Sequence, residues 1–183
     1  MITSEIEESL IKELFEYSQR AILTPANLGI FQKGTKDQVI EILEQIDVNQ
    51  LINLESRKEY DEWFDEIVLP FHVGLFPLFR ENLVVSKGNP YSYSARLLTQ
   101  YLKYLSTRTV VYYVSSEILI GLVHPIISNK YLRSFSDLGI KMVNQIENRE
   151  QYYKVIKDYR TRLDMDLCEQ NEALLEMDFG IEV

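Results

Sequence analysis

A single cysteine, Cys168, is the only thiol in this 183-residue chain, which excludes an internal disulfide framework and any cysteine-rich zinc site. Its neighbours Asp164, Asp166 and Glu169 oppose thiolate formation, which weighs against a catalytic cysteine. Two histidines, His72 and His124, are too few for a multi-histidine metal centre. Seven glycines and five prolines are too few for a turn-rich sandwich or a disordered chain. A phosphate-binding glycine loop, HExxH, GxSxG and the EF-hand spacing are all missing, so no metal and no cofactor is expected. The first twenty residues lack the basic stretch and apolar run of a signal peptide. The longest apolar window, 110–127, approaches membrane-spanning length but carries Ser115, Ser116, Glu117, Gly121, His124 and Pro125. A buried helix of a cytoplasmic protein is the expectation, with no membrane partner.

What the chain does have is an ordinary apolar fraction, 46%, at a length suited to one domain, 1–183. Its net charge of −9 is unevenly laid out. Residues 1–79 hold 15 acids against 6 bases, and residues 163–183 hold 7 acids and no base. Between them, residues 80–162 carry 13 bases and 6 acids, so acidic ends bracket a basic middle.

Apolar residues recur at helical spacing along most of the chain. Ser4/Glu7, Thr35/Gln38 and Ser56/Glu59 have the form of capping boxes. The third opens a helix with Tyr60, Trp63, Phe64 and Ile67 inward, predicted to end before Pro70. An irregular connection with one helical turn is expected over 71–89, a short helix or turn over 128–135, and another helix from Ser136 or Asp137 to Ile146. Asn148 and Gln151 are placed to start a long helix burying Tyr152, Val155, Ile156, Tyr159 and Leu163. The fold class is all-α: a single-domain irregular helical bundle around a central pair, about 91–106 and 110–123. Leu98, Leu102, Leu105, Val114 and Ile118 are expected inside.

Glu117 and His124 are the candidate catalytic residues. Seven apart on a predicted helix, with Gly121 between them, they share a face that leaves room for a ligand, and a carboxyl in a dry site can serve as acid or base. The competing reading is a buried ion pair of Glu117 with Arg96, Lys103 or Arg108. Arg96, Gln100 and Lys103, at i, i+4 and i+7, form a polar stripe that is either an anion site or a solvated helix face. Ten of the twelve tyrosines lie between Tyr91 and Tyr159 in the basic middle. Bases interleaved with aromatics suit nucleic acid, but these tyrosines fall at core spacing and the acidic ends outweigh the bases, so nucleic acid is not favoured.

SARLLTQYLKYL, from Ser94 to Leu105, followed by HPII from His124 to Ile127, resembles a pattern in helical proteins of bacteria and their phages. That pattern reads AQKWLNMTLKYL and, later, H-x-P-I-D; here Thr99 stands for its Asn, and its Asp is absent, with Ser128 nearby. The resemblance implies a helical fold and carries no activity.

These features support a non-enzymatic protein-interaction module that binds another protein or a second copy of itself. Two further classes stand beside it. One is a nucleic-acid-processing or other enzyme using Glu117 and His124 with Arg96 and Lys103. The other is an acidic inhibitor from a mobile element, presenting carboxylates as a phosphate mimic. The acidic C-terminal segment 164–183 is expected to dock on the basic middle of the chain or on a partner.

Overall fold

The computed structural model describes residue 13 and residues 16–87, 90–109, 122–134 and 136–164. Among these residues all regular structure is helical, as one all-α domain. The elements are α1 (16–22), α2 (Pro25–Leu28), α3 (Lys36–Glu44), α4 (Arg57–Leu75), α5 (Glu81–Lys87), α6 (Tyr91–Thr109), α7 (Asn129–Ser134) and α8 (Arg149–Asp164). Short 3-10 turns occupy Val48–Asn53, Phe76–Leu78 and Val143–Gln145. No helix among the described residues is long and apolar enough to cross a membrane.

Capping chemistry explains where the two long outer helices begin. Ser56 Oγ accepts from the Glu59 amide at 3.2 Å, and the Glu59 carboxylate accepts from the Glu55 amide at 2.9 Å. Asn148 and Gln151 play the same two parts at the start of α8, at 3.0 Å and 2.7 Å. Thr35 behaves differently from its expected role. Its hydroxyl donates back to the Gln32 carbonyl at 2.8 Å and makes no cap bond to α3.

Two helix boundaries also differ from the sequence reading. α4 does not stop before Pro70 but runs through it to Leu75. A proline there forgoes one backbone bond. The last turn nonetheless buries Phe71, His72 and Leu75, and that packing outweighs the loss. The stretch after it is a 3-10 turn and α5 rather than an irregular connection. Conversely, 136–146 is not a helix. Gly139 adopts φ +74°, a left-handed conformation that breaks helical continuation, and only Val143–Gln145 regains a turn.

The core is built by α6 packing on α4, with α8 and α3 closing the sides. Leu98, Leu102 and Leu105 are buried as their spacing predicts, as are Tyr152, Val155, Ile156 and Tyr159; Leu163 is only partly so. The described partner of α6 is therefore α4. The predicted second member of the pair, with Val114, Glu117, Ile118 and Gly121, lies outside the described residues. A small clasp fastens the first third of the chain. Phe31 and Phe79 form an isolated antiparallel bridge with their rings stacked 5.1 Å apart. The Gln32 amide donates to Leu78 O at 2.8 Å and the Arg80 amide to Ile30 O at 3.0 Å. At the other end of the described chain, Asp164 receives two bonds from Arg57, 2.6 and 3.0 Å. The first acid of the C-terminal segment thus pairs with the start of α4, not with the basic middle, and residues 165–183 lie outside the described residues.

Candidate functional site: a sealed histidine seam and an open arginine cleft

His124 offers no surface to a substrate, being 0% exposed. It lies in the non-helical segment 123–128, because Pro125 disfavours helical geometry at the residue before it. It therefore stands outside any helix, while Glu117, the other candidate, lies outside the described residues. The rings of Tyr60, Phe64, Tyr152 and Tyr153 wall it in, at centroid distances of 4.9, 4.5, 5.6 and 5.5 Å. Both of its nitrogens are bonded, Nε2 to Asp61 Oδ1 at 2.8 Å and Nδ1 to the Tyr152 hydroxyl at 3.1 Å. Tyr152 Oη is in turn 3.0 Å from Thr99 Oγ1. At the far end Arg160 Nη1 lies 2.9 Å from each Asp61 carboxylate oxygen, and its Nη2 donates to Leu122 O at 3.0 Å.

The protons in this seam follow from burial and charge. Burial pushes the His124 imidazole down to about 4, so it is neutral at pH 7. Burial alone would push the Asp61 carboxyl up, but the hydrogen bonds and charges of His124 and Arg160 outweigh it and hold it below the usual range. An ionised Asp61 only accepts, so the single imidazole proton sits on Nε2. Nδ1 then accepts from Tyr152, and Thr99 donates to Tyr152. The order carboxylate–imidazole–hydroxyl is that of a catalytic triad. Its imidazole and hydroxyl are nevertheless enclosed among the described residues. Tyr152 is buried, burial pushes its hydroxyl well up, and the space beside it, between Ser92, Arg96, Thr99 and Ile146, is too small for a water. What the seam does is join α4, α6, α8 and the 122–128 segment through polar bonds, with Arg160 Nε the one arginine nitrogen in it that makes none. The other histidine, His72, is a similar link, 2.8 Å from Ser94 Oγ between α4 and α6.

The predicted stripe of Arg96, Gln100 and Lys103 does not act as a trio, nor is it a solvated face. Gln100 Oε1 accepts from Asn27 Nδ2 at 2.8 Å, tying α2 to α6. Lys103 is 4% exposed, its stem inside the bundle. Arg96 alone opens outward, into a cavity of about 130 Å³ that it shares with Tyr93, Ser128, Asn129, Val143 and Asn144. Among the described residues its guanidinium makes no hydrogen bond and no ion pair, and its Nε is buried without a partner. Burial pushes its pKa down, only partly opposed by Tyr93, and no carboxylate among the described residues raises it again.

Sequence reasoning missed Asp61, Tyr152, Thr99 and Arg160 as members of one network. The signal available was slight. Asp61 follows the buried Tyr60 and Arg160 follows the buried Tyr159, so each charge sits at the margin of an apolar stripe. A third feature lies on the outer face of α4. Its first half exposes Lys58, Glu59, Glu62 and Glu66. Its second half exposes Leu69 (60%), Val73 (63%) and, one residue past the helix, Phe76 (39%). Ending the helix before Pro70 concealed this ridge from the sequence reading.

Among the described residues no three His, Cys, Asp or Glu side chains gather as a metal site. Comparison with family models, with curated proteins and with solved structures gave no match.

Proposed function

We propose that this protein is a non-enzymatic, cytoplasmic protein-binding module, and that it docks a basic amphipathic helix of a different protein on the outer face of α4. The observation that carries the reading is the ridge of Leu69, Val73 and Phe76, three large apolar side chains left in solvent on a helix whose inner face is core. The face is graded along its length. The ridge gives way, toward the helix start, to Glu66, Glu62 and Glu59, with Lys58 the single base and already 3.7 Å from Glu62. A helix presenting leucine-like side chains to the ridge and lysines or arginines to the acidic half complements both. A second copy of this chain fits less well, since two chains of net charge −9 repel. The sealed seam supports a binding role over catalysis, because His124 and Tyr152 have no access to a ligand.

The test uses a synthetic helix of leucine and lysine, a leucine–glutamate helix as charge control, and the double variant Leu69→Ser/Val73→Ser. That variant leaves every charge in place. The leucine–lysine helix should bind the native chain by fluorescence anisotropy and lose affinity about tenfold or more against the variant. Equal binding by the variant means bulk charge attraction and overturns the reading, as does equal binding of the leucine–glutamate helix. A native dimer in sedimentation that the same variant dissolves would assign the ridge to self-association instead.

A further inference from the structure

The cleft at Arg96 is independent of the α4 ridge and poses a different question: what a half-buried guanidinium with no partner among the described residues is for. Taking a charge out of water without a counter-charge is costly, and proteins that do so usually supply a partner. Here the walls supply none. The six described residues around the cavity include no acid.

The neighbouring polar groups are also biased in one direction. Ser128 Oγ already accepts from the Tyr131 amide at 3.1 Å, which leaves its O–H to donate. Asn129 Oδ1 accepts from the Val143 amide at 2.8 Å. A backbone N–H can only donate, so this bond fixes the side-chain amide and leaves its NH₂ as the free end. Tyr93 sits one turn before Arg96 on the same face of α6 and adds a hydroxyl; Asn144 adds a second amide. Two of the oxygens facing the cavity, Ser128 Oγ and Asn129 Oδ1, thus already accept backbone bonds, and donors are available on three sides: α6, the 128–129 corner and the Val143–Gln145 turn.

We propose that this cleft is a binding site for a phosphate group, either free or as a phosphomonoester. The number of donors selects the class. A carboxylate paired with the guanidinium fork keeps only in-plane lone pairs on two oxygens, and reaches donors on three sides less well than a tetrahedral group does. A tetrahedral oxyanion offers oxygens in several directions at once and uses them. A cavity of about 130 Å³ has room for more than a single water, consistent with a small group rather than an isolated solvent site. The turn that carries Asn144 is held in place by the Asn129–Val143 bond, so two of the donors are pre-positioned by one contact.

The experiment is calorimetric titration of the full chain with inorganic phosphate, phosphoserine and acetate, together with two variants. Phosphate or phosphoserine should bind at least about tenfold more tightly than acetate. Arg96→Gln should lose about tenfold or more of that affinity, the scale of a charge-assisted hydrogen bond. Asn144→Asp places a carboxylate at a partly exposed rim position. It should abolish phosphate binding while leaving the melting temperature in phosphate-free buffer unchanged or higher, since it gives Arg96 a counter-charge, and this keeps the test valid should Arg96→Gln fold poorly. Tighter binding of phosphoserine than of inorganic phosphate supports a site for a group carried on a larger ligand. The reverse order supports a free-ion site. Acetate binding as well as phosphate, unchanged binding by Asn144→Asp, or no heat with any phosphate compound overturns the proposal.

Discussion

Arg160 and Arg96 stand at opposite ends of one polar seam and are treated in opposite ways. Arg160 holds both oxygens of Asp61 and the Leu122 carbonyl, and through Asp61 it fixes the tautomer of a fully buried histidine. Arg96, which shares a wall with Tyr152 and Thr99, holds nothing among the described residues. The first is a charge whose cost the fold has already offset. The second is a charge whose cost is still open. A matched buried pair is a device for uniqueness of structure, whereas an unmatched one is a cost accepted for something outside the fold.

The sharpest way to break the comparison is to make the same substitution at both ends. Arg160→Met leaves Asp61 without its cation and the Leu122 carbonyl without its donor. Urea melts should show a loss of about 3–5 kcal/mol. A loss below about 1 kcal/mol would make the seam dispensable and its arginine no different from a surface one. A smaller effect comes from its histidine. The folded pKa of about 4 lies under the unfolded value of about 6.5. Between the two the unfolded chain binds the more protons, so stability falls as pH drops through that window, by up to about 3 kcal/mol, and is intact above it. The depressed Asp61 adds a separate loss below its own unfolded value of about 3.9. Melts at about pH 7 and about pH 4.5 should show the first slope in the native protein and not in His124→Phe, whose ring has no proton to gain. A slope that persists in the variant would place the acid sensitivity elsewhere. Smallest of all should be Arg96→Met, which removes a charge with no partner to orphan among the described residues. Stability should change by less than about 0.5 kcal/mol or rise. A loss rivalling that of Arg160→Met would erase the distinction between the two arginines.

Features that depend on neighbours in sequence were readable before any coordinates. The Ser56/Glu59 and Asn148/Gln151 pairs announced α4 and α8, and the leucine spacing of Ser94 to Leu105 placed three core residues correctly. Features that depend on long-range packing were not. Pro70 reads locally as a stop, and only the burial of Phe71, His72 and Leu75 carries the helix past it. His124 was singled out, but its partner Asp61 is 63 residues away, and no periodicity connects them. The Arg96 cleft was legible for its arginine alone. Ser128, Asn129 and Asn144 lie outside the long amphipathic helices, in a corner, a short helix and a turn that hydrophobic spacing does not describe.

The Phe31–Phe79 clasp has a consequence in time rather than in space. Two side-chain bonds also cross it, Gln32 Nε2 to Phe79 O and Arg80 Nε to Phe31 O, joining groups 47 and 49 residues apart, so forming it means closing a long loop, a cost on the order of 3 kcal/mol in chain entropy. Two stacked rings and a few hydrogen bonds offset that cost only after α3 and α4, which lie within the loop, have condensed and brought its ends together. The clasp is therefore expected to close late in folding and to open early in native fluctuations, with the amides of Gln32 and Arg80 exchanging as one unit ahead of those in α6. The N-terminal portion of the domain would then behave as a strap that buckles last, onto a core already assembled by the helices behind it.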